Sequence, residues 1–135
     1  MIETYFHKGE GYAPFLIREG WQVAQLNYLP GHGFDEIGWV EVHRDTDEVF
    51  ILFKGNAILI EARPHKDGTQ FHCEKMRPGV TYNIPAGTWH NIAMDTDVEI
   101  IIVEKSDTHT QDCAFQDLVQ PDRMDLYTRI KQELA

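Results

Sequence analysis

Apolar and polar positions alternate along most of this chain in short bursts, and Gly or Pro punctuates nearly every gap between them. Segments rich in Val, Ile, Phe, Tyr and Trp fall at residues 21–28, 39–43, 48–54, 56–62, 81–84, 91–94 and 98–105. Each has the length and residue types of a β-strand. Gly55 and Asn56 read as a tight hairpin tip between two of them. Evenly spaced short strands predict an all-β sandwich or barrel. The tail differs. Residues 121–134 lack Gly, and Met124, Tyr127, Ile130 and Leu134 recur at three- and four-residue spacing, with Leu126 joining Ile130 and Leu134. That pattern predicts an amphipathic helix with Pro121 near its first turn. The helix is expected to cap one end of the barrel rather than pack on a partner subunit.

Length and composition narrow the class. With 135 residues and 42% hydrophobic content, the chain is expected to form a single domain over residues 1–135. A core of that size needs no zinc finger or disulfide framework. The 22 acidic and 12 basic residues give a formal charge of −10, which repels phosphate backbones and argues against a nucleic-acid partner. No apolar run is long enough for a membrane span, and the N-terminus has no signal-peptide pattern. Cys73 and Cys113 are not in a C-x-x-C pair, so they are expected to be reduced thiols of a cytoplasmic protein.

The candidate chemistry lies in two half-motifs, His43-x4-Glu48-x6-Gly55 and Gly79-x5-Pro85-x-Gly87-x2-His90. Alternate strand residues share a face, so Trp39, Glu41 and His43 point one way and Val40 and Val42 the other. Glu48, Phe50 and Leu52 form one face of the next strand. If these faces look inward, Glu41, His43, Glu48 and His90 converge. Two imidazoles and a carboxylate suit a divalent iron, manganese, nickel or zinc ion, with the second carboxylate adding oxygen character. Such an ion acts as a Lewis acid or binds dioxygen. Without metal, Glu41 and Glu48 in a partly apolar cavity would push a carboxyl pKa up. One Glu would then serve as acid and His43 or His90 as base. Trp39, Tyr82 and Trp89 are candidates to line the substrate pocket, whereas Phe50 reads as core. Tyr28 and Asn83 are candidate polar contacts. His7, His32, His65, His72 and His109 read as surface or loop residues.

The two half-motifs resemble those of the cupin superfamily, G-x5-H-x-H-x3–4-E-x6-G and G-x5-P-x-G-x2-H-x3-N. His43, Glu48 and Gly55 match the first, and Gly79, Pro85, Gly87 and His90 match the second. The chain departs from the pattern at Asp35, Glu41 and Met94, where the family has Gly, His and Asn. The resemblance implies a cupin-type double-stranded β-helix, a jelly-roll barrel, with a short C-terminal α-helix. It implies metal ligation by His43, Glu48 and His90, with Glu41 replacing the missing imidazole. It further implies two strands and a variable loop, at residues 63–70, between the motifs. The expected function is a metal site for a small polar organic ligand, such as a sugar or a keto or carboxylic acid, in an isomerase or dioxygenase with Glu41 and His43 catalytic. The alternative is a metal-free, non-enzymatic sugar-binding or sensing module. The resemblance also implies a homodimer, to which the aromatic segment 5–17 is expected to contribute.

Overall fold

The computed structural model describes residues 1–135. Ten strands form: β1 (Tyr12–Arg18), β2 (Trp21–Asn27), β3 (Trp39–Val42), β4 (Glu48–Lys54), β5 (Ala57–His65), β6 (Gly68–Lys75), β7 (Thr81–Ile84), β8 (Trp89–Met94), β9 (Glu99–Glu104) and β10 (Ala114–Asp117). A one-turn helix α1 (Thr108–Gln111) precedes β10, and α2 (Gln120–Leu134) closes the chain. The strands make two five-stranded sheets, in the order β1-β2-β9-β4-β7 and β10-β3-β8-β5-β6. Every pairing is antiparallel. The expected all-β jelly roll is therefore present.

Two apolar cores hold it. The first draws Leu26, Phe50, Leu52, Ile100 and Ile102 from one sheet and Leu59, Ile92 and Met94 from the other, so it fills the space between the sheets. The second joins Val40, Ile58, Ile60 and Ala93 to Leu126 and Ile130 of α2, so it lies on the outer face of the second sheet. This explains the run Ala57-Ile58-Leu59-Ile60, in which all four side chains are buried. A strand covered on both faces has no solvent side to alternate with.

α2 lies across that sheet and does not cap a barrel end. Two apolar cores require it, because Ile58 and Ile60 need a cover. Leu126 and Ile130 are fully buried, and Met124 of the expected stripe is 53% exposed. Tyr127 donates to the Ile37 carbonyl at 2.7 Å, and Arg123 donates to the Leu118 and Gly38 carbonyls at 2.9 and 3.2 Å. No helix is long and apolar enough to cross a membrane.

Three other expectations change. Gly55-Asn56 is not a hairpin tip, because β4 and β5 belong to different sheets. It is the corner where the chain crosses between them. Gly55 has φ +83°, a Cβ there would sit 2.8 Å from the Val98 backbone, and the Asn56 N–H donates to Asp95 at 3.1 Å. The supposed loop at 63–70 is mostly strand, since His65 pairs with Gly68 across a two-residue turn. β10 was not foreseen. Its four residues are all exposed and it forms an edge beside β3, so no hydrophobic alternation marks it.

Gly55→Ala meets both a left-handed backbone and a backbone clash. It should lower stability by at least about 1–3 kcal/mol, read from the urea midpoint. Leu126→Ala should cost about 2–5 kcal/mol by the same measurement, because it empties the second core.

Candidate metal centre

Both sheets contribute to the site. β3 turns Trp39 and Glu41 inward and releases His43 at its end, while β8 carries His90 directly opposite Glu41. From the other sheet, β4 begins with Glu48 and β9 ends with Glu104. The inward facing of Glu41 and His90 follows from Val40 and Ala93 of the same strands packing under α2 on the opposite face.

Backbone contacts set the turns. The Gly87 N–H donates to the His43 carbonyl at 2.7 Å, tying the second half-motif to the first. Gly87 takes φ +83°, which suits that tight approach. Asp47 accepts from the Ala86 N–H at 2.9 Å and from the Asn83 side chain at 3.1 Å. Burial opposes ionisation of Asp112, but its carboxylate accepts from the Arg44 and Asp45 N–H groups at 2.9 and 2.8 Å, and together with the nearby His43 and Arg44 these bonds hold its pKa below the ordinary range.

The four foreseen side chains do come together. One ligand atom from each of Glu41, His43, Glu48 and His90 lies within 4.8 Å of the others. His43 Nε2 stands 2.9 Å from Glu48 Oε2, and His90 Nε2 stands 3.6 Å from Glu48 Oε1 and 3.8 Å from Glu41 Oε1. His90, Glu48 and His43 are 2%, 5% and 6% exposed. Both rings are oriented from behind. His43 Nδ1 donates to the Asp112 carbonyl, and His90 Nδ1 donates to the Thr88 carbonyl at 2.8 Å. A carbonyl only accepts, so Nδ1 carries a proton in either charge state, and when the ring is neutral its Nε2 lone pair faces the cluster.

Charge follows from these contacts. Burial opposes ionisation of Glu48, but the His43 hydrogen bond and the nearby His90 outweigh it and hold the carboxyl below its usual range. Burial likewise opposes protonation of His43, yet the Glu48 hydrogen bond and the Asp112 carbonyl push its pKa up to about 9. His90 is raised too, with burial overcome by Glu48. The expectation that crowding would raise a carboxyl at the Glu41–Glu48 pair is corrected for Glu48, whose nearest neighbour is an imidazole.

The raised carboxyl is one the sequence did not reveal. Burial first, and then Glu48, pushes Glu104 up to about 8. Its Oε1 accepts from Tyr12 at 2.9 Å and from Gln22 at 3.1 Å, and its Oε2 is buried without a partner. A proton on Oε2 resolves that orphan by giving it a donor to share with Glu48.

A cavity of about 270 Å³ adjoins the cluster. Trp39 lines it as foreseen. Tyr82 does not, because it lines a separate groove with His72 and Glu74, and its oxygen accepts from the Arg77 N–H at 2.9 Å. Trp89 does not either. It is one residue from the inward His90, so alternation sends it to the outer face, where Arg44 covers its ring. Tyr28 lies outside the cavity against the first core, and Asn83 is engaged by Asp47. Phe50 is both core and cavity wall.

Two histidines read as surface residues are cavity residues. His32 is 8% exposed, bonds the Ile92 carbonyl through Nδ1 at 2.9 Å and meets Trp39 edge-on. His109 Nδ1 lies 3.1 Å from the Gln22 amide. Neither sits in a strand, so face periodicity offered no signal. Cys113 also lines the cavity, with Sγ 3.2 Å from Glu41 Oε2. Both cysteines are free thiols. Burial, followed by Glu41, raises the Cys113 thiol to about 12.

No protein-family model and no curated protein sequence matches the chain. Solved structures do. A Bacillus halodurans protein superposes with TM-score 0.58 at 17% identity, covering 81% of this chain and 77% of its own. A cupin-2 domain protein from Shewanella frigidimarina gives TM-score 0.50 at 22% identity, covering 74% and 84%. An oxalate oxidase in complex with the substrate analogue glycolate gives TM-score 0.50 at 18% identity, covering 70% of this chain and 45% of its own. The chain thus has the cupin fold, a double-stranded β-helix in which these four side chains could hold a metal ion.

The shifted protonation of His43 and Glu104 predicts a pH profile for the metal-free protein. His43 and Glu104 keep protons in the fold, to about 9 and about 8, that the unfolded chain releases near 6.5 and 4.5. The folded state binds more protons across that window, so stability falls as pH rises through it. Melting of EDTA-treated protein should show Tm declining from about pH 5 to pH 9. Glu104→Gln should flatten the lower part of the decline and leave the upper part in place.

Proposed function

We propose that this chain is a metal-dependent cupin in which His43, His90, Glu48 and Glu41 hold one divalent iron, manganese, nickel or zinc ion. The observation that carries this reading is the buried Nε2 of His90. It has no hydrogen-bond partner, its ring is fixed by the Thr88 carbonyl, and its lone pair faces two carboxylates. Neutral, it is a buried acceptor facing acceptors, and protonated, it stands 3.6 and 3.8 Å from the carboxylate oxygens, beyond a good hydrogen bond, so a cation among them satisfies it better. Two imidazole nitrogens and two carboxylate oxygens are a donor set that divalent transition ions accept. Bound there, such an ion supplies Lewis acidity, and iron or manganese adds redox capacity.

The chain's own groups serve the rest of the site. Glu48 stays ionised, Glu104 stores a proton beside it, and Tyr12 and Gln22 fix the Glu104 carboxyl. Trp39, Phe50 and Ile92 give the cavity that adjoins the cluster an apolar wall. The reading is an oxygenase-type or isomerase-type enzyme acting on a small organic molecule. One contact favours a second reading, a metal-free binding module: His43 and Glu48 satisfy each other as an ion pair at 2.9 Å.

Untagged protein should carry about one equivalent of divalent metal by elemental analysis. His43→Ala, Glu48→Ala and His90→Ala should each abolish that occupancy with the circular dichroism spectrum retained. Glu41→Gln, altering the most exposed of the four, should weaken affinity on the order of tenfold. Unchanged metal content in both histidine variants would remove the metal reading. A small molecule that stabilises the EDTA-treated protein as strongly as the metal-loaded one would favour the binding module.

A further inference from the structure

We propose that the cavity beside the cluster takes an uncharged molecule, with an aromatic or branched aliphatic body and a carbonyl or hydroxyl oxygen directed at the cluster, and discriminates against carboxylates. The inference rests on the reading of this cavity as the ligand site, and it names the class of ligand.

The charge balance is the first argument. Seventeen residues line the cavity, and none is Lys or Arg. Three are carboxylic acids, Glu41, Glu48 and Glu104. In the metal-bound site the carboxylates of Glu41 and Glu48 already offset the two charges of the ion. A carboxylate ligand adds a negative charge that no Lys or Arg in the wall compensates, beside a Glu48 carboxylate that is only 5% exposed. An uncharged oxygen donor adds none. A ligand that is itself a cation would lie against the metal and is disfavoured on the same count.

The wall is the second argument. Leu26, Trp39, Phe50, Ile92 and Ile102 present carbon to the cavity, and Leu29 and Phe115, 37% and 64% exposed, mark its mouth. Two of the polar groups among them are engaged on both sides. Asn91 donates to the Trp39 carbonyl at 2.8 Å and accepts from the Ile92 N–H at 2.7 Å. The Tyr12 hydroxyl donates to Glu104 and accepts from Gln22. A sugar would lose hydration at each of several hydroxyls, and those that turn to the carbon wall would find no partner there. An apolar body loses nothing and gains the burial of its surface.

Three planar molecules of nearly one shape separate these terms: benzamide, benzoate and benzamidinium. Calorimetric titration at pH 7 into zinc-loaded protein should show benzamide binding at least about tenfold tighter than either ion. EDTA-treated protein should rank benzamide above benzoate too, because the carboxylates of Glu41 and Glu48 remain and no Lys or Arg faces them. Benzoate binding as tightly as benzamide, benzamidinium binding tightest, or no saturable benzamide binding would each overturn the inference. Leu29→Arg, at an exposed position that leaves the core intact, places a cation at the mouth and should tighten benzoate about tenfold. Benzoate affinity unchanged in that variant would also overturn it. Zinc content is measured on the same samples, so a failed metal reading appears as zinc-free protein that still prefers benzamide.

Discussion

The carboxylate of Glu48 sits almost entirely out of water, between two imidazoles. A bare buried charge costs several kcal/mol after relaxation. The fold must therefore bring counter-charge to it or lose the ionised form. His43 and His90 answer that need, and their rings are held in turn by the carbonyls of Asp112 and Thr88. Every other feature of the site follows from this arrangement. Glu104 cannot also ionise easily beside Glu48, so it keeps its proton. An ion placed among the four donors takes over the charge compensation that the imidazolium of His43 provides without it.

That arrangement also ties the site to the closure of the sandwich. His90 and Glu41 come from one sheet, Glu48 and Glu104 from the other, and the first apolar core holds the sheets together. The helix α2 acts on the same geometry from outside. It buries Val40 and Ala93, the residues beside Glu41 and near His90 in sequence, and so fixes which face of β3 and β8 turns inward. The tail helix is remote from the cluster, yet it specifies the face on which the cluster forms.

The cavity combines a polar, carboxylate-rich floor with carbon walls. Apolar walls neither solvate an ion nor screen it, which is the ground for the proposed preference for an uncharged ligand. Cys113 and His109 enter the wall from the segment between β9 and α2, as does Phe115. This short stretch sets much of the mouth, and its changes would alter ligand preference with little effect on the core.

How much could be read from the linear chain depended on periodicity. Period-two alternation placed Trp39, Glu41 and His43 on one face and Val40 on the other, because a pleated strand permits nothing else. The spacing of Gly79, Pro85, Gly87 and His90 marked a turn entering a strand, and Leu126, Ile130 and Leu134 marked a helix. Alternation also contained the answer for Trp89, which cannot face the cavity if His90 does. Tertiary structure decided what periodicity does not encode. Gly55 became a crossing between sheets because β5 pairs with β6 and β8 and not with β4, the strand that precedes it. His32, His109 and Cys113 joined the cavity from segments without a repeating face. Glu104 became the protonated acid only when folding placed its carboxyl beside Glu48, since burial and a neighbouring charge exist only in three dimensions.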